Sequence, residues 1–358
     1  MSIIARFEIE YLQYLNAEAQ AVGELPPLAH DRDRVVELYK LMSLVRVFDS
    51  KAIALQRTGK LGTYASCLGH EAAHVGIGAA MQPDDVFAPM YREYGTQIYR
   101  GVQPREILLY WGGDERGNDF AKSRHDYAWS VPISTQCLHA AGAALAFKIR
   151  KQANAAVCVC GDGGSSKADF YGALNVAGAQ QLPLVLVVVN NQWAISVPRH
   201  MQSGAQTLAQ KAIAGGIEGI QVDGNDLFAV HQAMDVALKK ARAGQGATVI
   251  EAVTYRLSDH TTADDARRYR EDAELEEAQA KEPLIRLRRY LIEKGWWDDQ
   301  KEDEMLKAAR AQIDVEVEAY LSTPRQSVGA MFDYTYAEIT DELAVQRAAA
   351  VALAERGQ

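Results

Sequence analysis

Apolar and polar positions change rhythm along the chain. Over 31–58, DRDRVVELYKLMSLVRVFDSKAIALQRT sets Val35, Leu38, Leu41, Met42, Val45 and Phe48 on one helical stripe. Asp31 suits an N-cap and Gly59 a stop. Helical patterns also cover 70–81, 91–100, 104–111 and 134–150. The centre reads differently. The runs 155–160 (AAVCVC) and 184–189 (LVLVVV) are continuously apolar, as expected of strands buried on both faces. Two more strands are expected at 219–223 and 248–254, with helices at 166–180 and 227–243. This alternation predicts an α/β fold: a doubly wound parallel sheet with right-handed crossovers, flanked by helices. Beyond Arg270 the chain turns helical and charged, with Pro283 opening a helix through Glu293 and an amphipathic stretch over 301–321. The expected organisation is an N-terminal arm over 1–30, an α/β domain over 31–322, and a tail with a helix over 323–358.

Composition narrows the function. With 48% hydrophobic and 24% charged residues, 27 Gly and 10 Pro among 358, the chain is outside the collagenous and disordered classes. The net charge of −9 argues against nucleic acid or an anionic membrane as a partner. No apolar run reaches the roughly 18 residues of a membrane span. The start, MSIIARFEIEYLQYLN, lacks the apolar core of a signal peptide, so a cytoplasmic location is expected. Cys67, Cys137, Cys158 and Cys160 show neither disulfide-framework nor zinc-site spacing. Cys158 and Cys160, two apart on a strand, are expected to face one side as buried thiols.

The segment that carries chemistry is 157–196, VCVCGDGGSSKADFYGALNVAGAQQLPLVLVVVNNQWAIS. A strand ends at Gly161, so Asp162 projects from its carboxyl end, where open α/β sheets bind ligands. Gly163 and Gly164 let the backbone approach a bulky anion, and the following helix offers free N–H groups. The next strand ends in Asn190-Asn191, returning two amides to the same edge. One carboxylate, one amide oxygen and a loop carbonyl, completed by two diphosphate oxygens and water, make a six-coordinate Mg²⁺ site. A generic Gly-rich turn would account for GDGG alone. The NAD fingerprint fits badly, because GDGGSS lacks the G-x-G-x-x-G order and no suitable acid ends the next strand.

Asn190 follows Gly163 by 27 positions, and this longer pattern resembles the thiamine diphosphate motif, GDG followed by NN. The resemblance extends over nearly the whole chain. RTGKLGTYASCLGHEAA (57–73), PMYREYG (89–95), GDGGSSKADFYGALN (161–175), NNQWAISVP (190–198), TLAQKA (207–212), IQVDGND (220–226), DHTTADDARRYR (259–270) and LRRYLIEKGWWDD (287–299) resemble the E1 α-subunit of 2-oxo acid dehydrogenase complexes. Residues 161–260 look closest to Gram-positive-type pyruvate dehydrogenase E1α. HTTADD and GWWDD are also similar to branched-chain 2-oxo acid dehydrogenase E1α.

The resemblance implies a thiamine diphosphate-binding fold and roles for particular residues. Mg²⁺ would be held by Asp162, Asn191 and the main-chain carbonyl of Trp193. Gly163 and Gly164 would offer backbone to the diphosphate, which Tyr91 and Arg92 would clamp. Ile133 would sit under the bent cofactor. Ser130, Pro132, Thr135 and Gln136 match a monovalent-cation loop, so K⁺ is a further expectation. His260 would approach the diphosphate and substrate, and an ordinary near-neutral pKa would suit it to trade a proton. Asp264, Asp265, Arg267, Arg268, Tyr269 and Arg270 would order its loop. The implied partners are an E1 β-subunit, in an α₂β₂ heterotetramer, and the lipoyl domain and core of E2.

Two positions depart from the family. Gram-positive-type relatives carry a His before Gly-Asn where this chain has Arg116, and neither His125 nor His139 is placed by spacing to replace it. Branched-chain relatives have Arg before NN where this chain has Val189, so one diphosphate contact is expected to be missing. The implied activity is oxidative decarboxylation of a 2-oxo acid with reductive acylation of lipoyl-E2. Pyruvate is the first expectation, branched-chain 2-oxo acids the second and acetoin cleavage the third. The rivals are a non-catalytic assembly subunit and a nucleotide-dependent oxidoreductase.

Overall fold

The computed structural model describes residues 1–356, which fall into two compact units, Met1–Val317 and a second beginning at Glu318. In chain order the first unit carries β1 (Glu10–Leu12), α1 (Arg32–Arg57), α2 (Glu71–Ala80), β2 (Val86–Ala88), α3 (Tyr94–Arg100), α4 (Pro104–Trp111), α5 (Thr135–Arg150), β3 (Ala156–Gly161), α6 (Ala168–Ala179) and β4 (Leu184–Asn190). There follow β5 (Trp193–Ala194), β6 (Val197–Pro198), α7 (Arg199–Gln202), β7 (Glu218–Asp223), α8 (Leu227–Arg242), β8 (Thr248–Val253), α9 (Asp272–Ala280) and α10 (Pro283–Glu293). Helix α11 runs Asp299–Leu321. The second unit holds α12 (Ala330–Asp333) and α13 (Asp341–Arg356), joined by an ion pair of Arg347 with Asp333.

The expected parallel sheet is present. Six strands lie in the order β1-β7-β8-β4-β3-β2, every neighbouring pair parallel. Alternation along β3 and β4 divides the core. Val157, Val159, Val185, Val187 and Val189 pack with α2 and α8 on one face. Cys158, Cys160, Leu184, Leu186 and Val188 pack with α5 and α6 on the other. The two cysteines share a face as expected, joined there by Cys137, and all four thiols are buried and free. Val189 belongs to the core.

Most helix boundaries lie within two residues of the sequence expectation, and the caps explain why. Asp31 accepts the Arg34 N–H at the start of α1, and Gly59 adopts φ +71° just beyond its end. Glu282 accepts the N–H groups of Leu284 and Ile285, with Pro283 at the first position of α10. The exception is the helix expected over 91–100, which starts only at Tyr94. Met90, Tyr91 and Arg92 form instead the bend that carries the chain out of β2. Strands β1 and β2, three residues each, carry no pattern of their own. The arm's β1 pairs with β7, and Asp226, the N-cap of α8, fastens the chain beyond it. Its carboxylate accepts the N–H groups of Tyr14 (2.7 Å), Leu15 (2.8 Å) and Phe228 (3.0 Å).

Asp226→Ala should therefore strand three N–H groups at once and lower unfolding stability by roughly 1–3 kcal/mol. Chemical denaturation measures it. An unchanged midpoint would mean that the arm is not fastened through this carboxylate.

Candidate active site

Because all six strands are parallel, neighbouring chain segments leave the sheet at one edge. There a cleft of about 1040 Å³ is lined by the segments that follow β2, β3, β4 and β8. It gathers Tyr91, Arg92, Ile133, Asp162, Gly163, Gly164, Asn191, Trp193 and His260, whereas Ser130, Pro132, Thr135 and Gln136 of the expected cation loop are not among its lining residues. His125, His139, Arg116 and Val189 are not among its lining residues. His139 stacks instead on Tyr127, and Arg116 pairs with Asp114.

Asp162 is 2% exposed, and its Oδ2 has no hydrogen-bond partner. Burial pushes its carboxyl up to about 6, against the pull of neighbouring N–H groups and of Arg256 and Arg199. The turn beyond it tolerates no side chain. A Cβ on Gly163 would come 2.7 Å from the Ala194 Cβ, and one on Gly164 would come 2.9 Å from the Ser134 Oγ. Supports lie behind this turn. Lys211 Nζ donates to the Ser165 carbonyl (2.9 Å) and hydroxyl (2.8 Å), and Gln202 Nε2 donates to the Gly163 carbonyl (3.2 Å).

The Asn190 amide turns back to the buried Glu251 (2.7 Å), which leaves Asn191 as the amide facing the cleft. Asn191 Oδ1 accepts the Trp193 N–H at 3.3 Å. The turn and hairpin after it hold two non-glycine residues at positive φ, Gln192 (+72°) and Ile195 (+57°). For a β-branched residue such as Ile195 that conformation is strained by about 1–3 kcal/mol. Across the cleft, Ser134 (φ +69°) donates its hydroxyl to the Gly164 carbonyl at 2.7 Å and thereby fixes Ile133 beside the glycine turn. In the expected cation loop, Gln136 Nε2 is committed to the Val159 carbonyl (2.7 Å), and its Oε1 is buried without a partner.

Arg92 is not a surface residue with a free fork. It is 2% exposed; Nη1 donates to the Ser66 carbonyl and Nη2 to the His260 carbonyl (2.9 Å). The Ser66 segment is in turn fixed by the buried Asp49, which accepts the Tyr64 hydroxyl, the Ser66 hydroxyl and the Cys67 N–H. His260 Nδ1 lies 3.3 Å from Arg92 Nη2 and 3.4 Å from Arg256 Nη1. Burial, with these two guanidiniums adding to it, holds the imidazole down at about 3. The near-neutral group expected from the sequence is therefore an uncharged one. Its loop is internally tied: Asp264 accepts the His260 N–H (2.9 Å) and the Tyr269 hydroxyl, and Arg270 donates to the Arg256 carbonyl (2.6 Å).

Sequence reasoning missed Arg256, which is fully buried and donates to the Ile195 carbonyl and the Tyr269 hydroxyl. Its signal was its place, three residues beyond the carboxyl end of a central strand. Tyr110 and Trp111, which close one side of the cleft from the end of α4, were also missed.

Fold and cleft together define an α/β protein with a candidate site at the carboxyl edge of its sheet, where a buried carboxylate and a buried guanidinium line one cleft. Residues 39–328 match the dehydrogenase E1 component family. The chain is 39% identical over 342 residues to the pyruvate dehydrogenase E1 component subunit alpha of Staphylococcus aureus strain Mu50, covering 95% of this chain and 92% of that one. The subunit of the same name from Staphylococcus epidermidis strain ATCC 12228 matches to the same extent. The chain belongs to the dehydrogenase E1 component family, as an α-subunit of the 2-oxo acid dehydrogenase type.

A testable consequence is a stability cost at Asp162. A folded-state pKa of about 6, above the usual 3.8, means that the contribution of this group is most favourable below pH 4 and is lost as pH rises through 6. With no metal or cofactor added, Asp162→Asn should be more stable than the parent by about 1–3 kcal/mol at pH 8. The difference should vanish at pH 4. Urea unfolding at both pH values checks this, and a less stable variant at pH 8 would contradict an unpaired buried carboxylate.

Proposed function

We propose that this chain is the α-subunit of a thiamine diphosphate- and Mg²⁺-dependent pyruvate dehydrogenase E1, acting with a β-subunit and delivering an acetyl group to lipoyl-E2. The observation that carries it is the buried Asp162 oxygen without a partner, beside a glycine turn that only bare backbone fits. A divalent cation is the natural mate of that carboxylate, and a diphosphate is the natural mate of the turn. The residues present fit such a group. Asp162, Asn191 and the Trp193 carbonyl would hold the metal; Gly163 and Gly164 would offer backbone to the diphosphate; Tyr91, Arg92 and His260 would bound its far side; Ile133 would support it from below.

When bound, thiamine diphosphate supplies the electron sink for decarboxylating a 2-oxo acid. The chain's own residues supply placement and charge. Arg92 and Arg256 contribute buried positive potential toward anions in the cleft, which is strongest where water is excluded. Tyr110 and Trp111 give it an apolar, aromatic wall suited to a small side chain.

The need for a β-subunit is supported by exposed apolar side chains on the helices beside the cleft, Leu138 on α5 and Tyr171 and Val176 on α6. Exposed apolar side chains of that size, where they gather on one face, are ordinarily covered by a partner. With one glycine-turn and Asn pair in one sheet, the chain provides half of a two-part site, in keeping with an α₂β₂ assembly.

Three outcomes test this. Reconstituted with its β-subunit, the enzyme should prefer pyruvate over 2-oxoisovalerate by roughly 10-fold or more in kcat/KM, since the extra methyl groups must fit the aromatic wall. The reverse preference would reassign the substrate to the branched-chain class. Asp162→Ala should weaken Mg²⁺-dependent thiamine diphosphate binding by roughly 100-fold in calorimetric titration, and parental affinity would refute the site. The chain alone should turn over roughly 10²–10⁴-fold more slowly than the assembled enzyme, as expected when acid–base groups reside on the partner.

A further inference from the structure

The loop that carries His260 places its imidazole under two cationic donors at once. Arg92 reaches it from the bend after β2, and Arg256 from the segment after β8, with Nη2 and Nη1 respectively 3.3 and 3.4 Å from the same ring atom, Nδ1. A guanidinium has five N–H donors and no acceptor. A protonated Nδ1 would point its own hydrogen at both. The remaining neighbours do not alter this. Asp264 takes the backbone N–H of His260 and the Tyr269 hydroxyl, and the Tyr91 ring stands edge-on at 6.2 Å.

We propose that Arg256 is a positioning residue that, with Arg92, fixes His260 as the tautomer protonated at Nε2, so that this side chain offers the cleft a hydrogen-bond donor. The proposal deepens the functional assignment above and rests on it for what the donor meets; the tautomer itself belongs to the chain alone. Arg256 is built for the task. It is fully buried, and three further bonds, to the carbonyls of Ser258 (3.2 Å) and Ile195 (3.0 Å) and to the Tyr269 hydroxyl (2.7 Å), fix its plane. Neither arginine donates to a carboxylate among these contacts, so their charge stays turned on the imidazole. An Nε2–H donor is the partner that a diphosphate oxygen or a substrate carbonyl oxygen requires. A group that must gain and lose a proton at neutral pH is poorly served between two cations.

Isosteric amides separate the two roles. Glutamine can place its amide nitrogen where the imidazole has Nε2, and asparagine where it has Nδ1. In the reconstituted enzyme both substitutions should lower turnover, but turnover and thiamine diphosphate affinity should stay roughly 10-fold or more higher in His260→Gln than in His260→Asn. Equal, severe losses in both would identify a proton-transfer role and overturn the proposal. The direct readout is ¹⁵N magnetic resonance of histidine-labelled full-length chain at pH 7, with His260→Gln assigning the signal. The expected pattern is protonated Nε2 and bare Nδ1; an Nδ1–H tautomer or an imidazolium would overturn it. Arg256→Met should mix the tautomers, seen as partial protonation of Nδ1 in the same spectra, and raise the His260 ionisation above the parent's, with burial and Arg92 still holding it below its ordinary value. An unaltered tautomer in Arg256→Met would remove Arg256 from the account. Failure of thiamine diphosphate to bind, with the Nε2–H signature intact, would sink the functional assignment and leave the tautomer standing.

Discussion

Parallel pairing of β2, β3, β4 and β8 is the constraint from which the site follows. Strands that run in one direction release their chains at one edge, so four segments far apart in sequence meet there without any long-range motif to guide them. The bend after β2 contributes Arg92, the turn after β3 contributes Asp162 and two glycines, the end of β4 contributes Asn191, and the loop after β8 contributes His260, with Arg256 behind it. Core packing holds these strands in register: valines on one face, cysteines and leucines on the other. The chemistry at the edge is therefore only as well placed as the apolar layers beneath it.

The edge itself is electrostatically unfinished. Asp162 is buried with one oxygen unpaired, while Arg92 and Arg256 are buried close to each other and to a neutral imidazole. Such an arrangement works against the fold, since buried charges are ordinarily matched within the protein. It suits a ligand that brings both signs. A metal–diphosphate pair would neutralise the carboxylate with its cation and the guanidiniums with its anion. The strained Ile195 backbone belongs to the same economy, because its carbonyl holds Arg256 in place. The stability forgone at the edge is recovered in the layers behind it.

What could be read from the sequence was local. GDGG at the end of one apolar run and NN at the end of the next are short spacings tied to strand ends, and they located both halves of the proposed metal site. Caps such as Asp31 and Glu282 act over three residues, and they fixed helix boundaries closely. What escaped was decided at a distance. Arg92 is buried because Asp49, on α1, fixes Ser66 beneath it, and no local pattern around Tyr91 records that. His260 is held uncharged first by burial, and two arginines from different strand ends that converge on one nitrogen add to it. Strands β1 and β2 are three residues long, too short for alternation to register, and exist because β7 and β3 offer them an edge.

The central claim, that a metal–diphosphate pair completes this edge, is met most directly by locating the metal. Crystals of the chain with its β-subunit, thiamine diphosphate and Mn²⁺ in place of Mg²⁺ would show the ion by its anomalous scattering. The account predicts one peak bridging Asp162, Asn191 and the Trp193 carbonyl at roughly the 2.0–2.3 Å typical of small divalent cations and oxygen ligands. Cofactor bound with the ion elsewhere, or bound with no ion at Asp162, would contradict it.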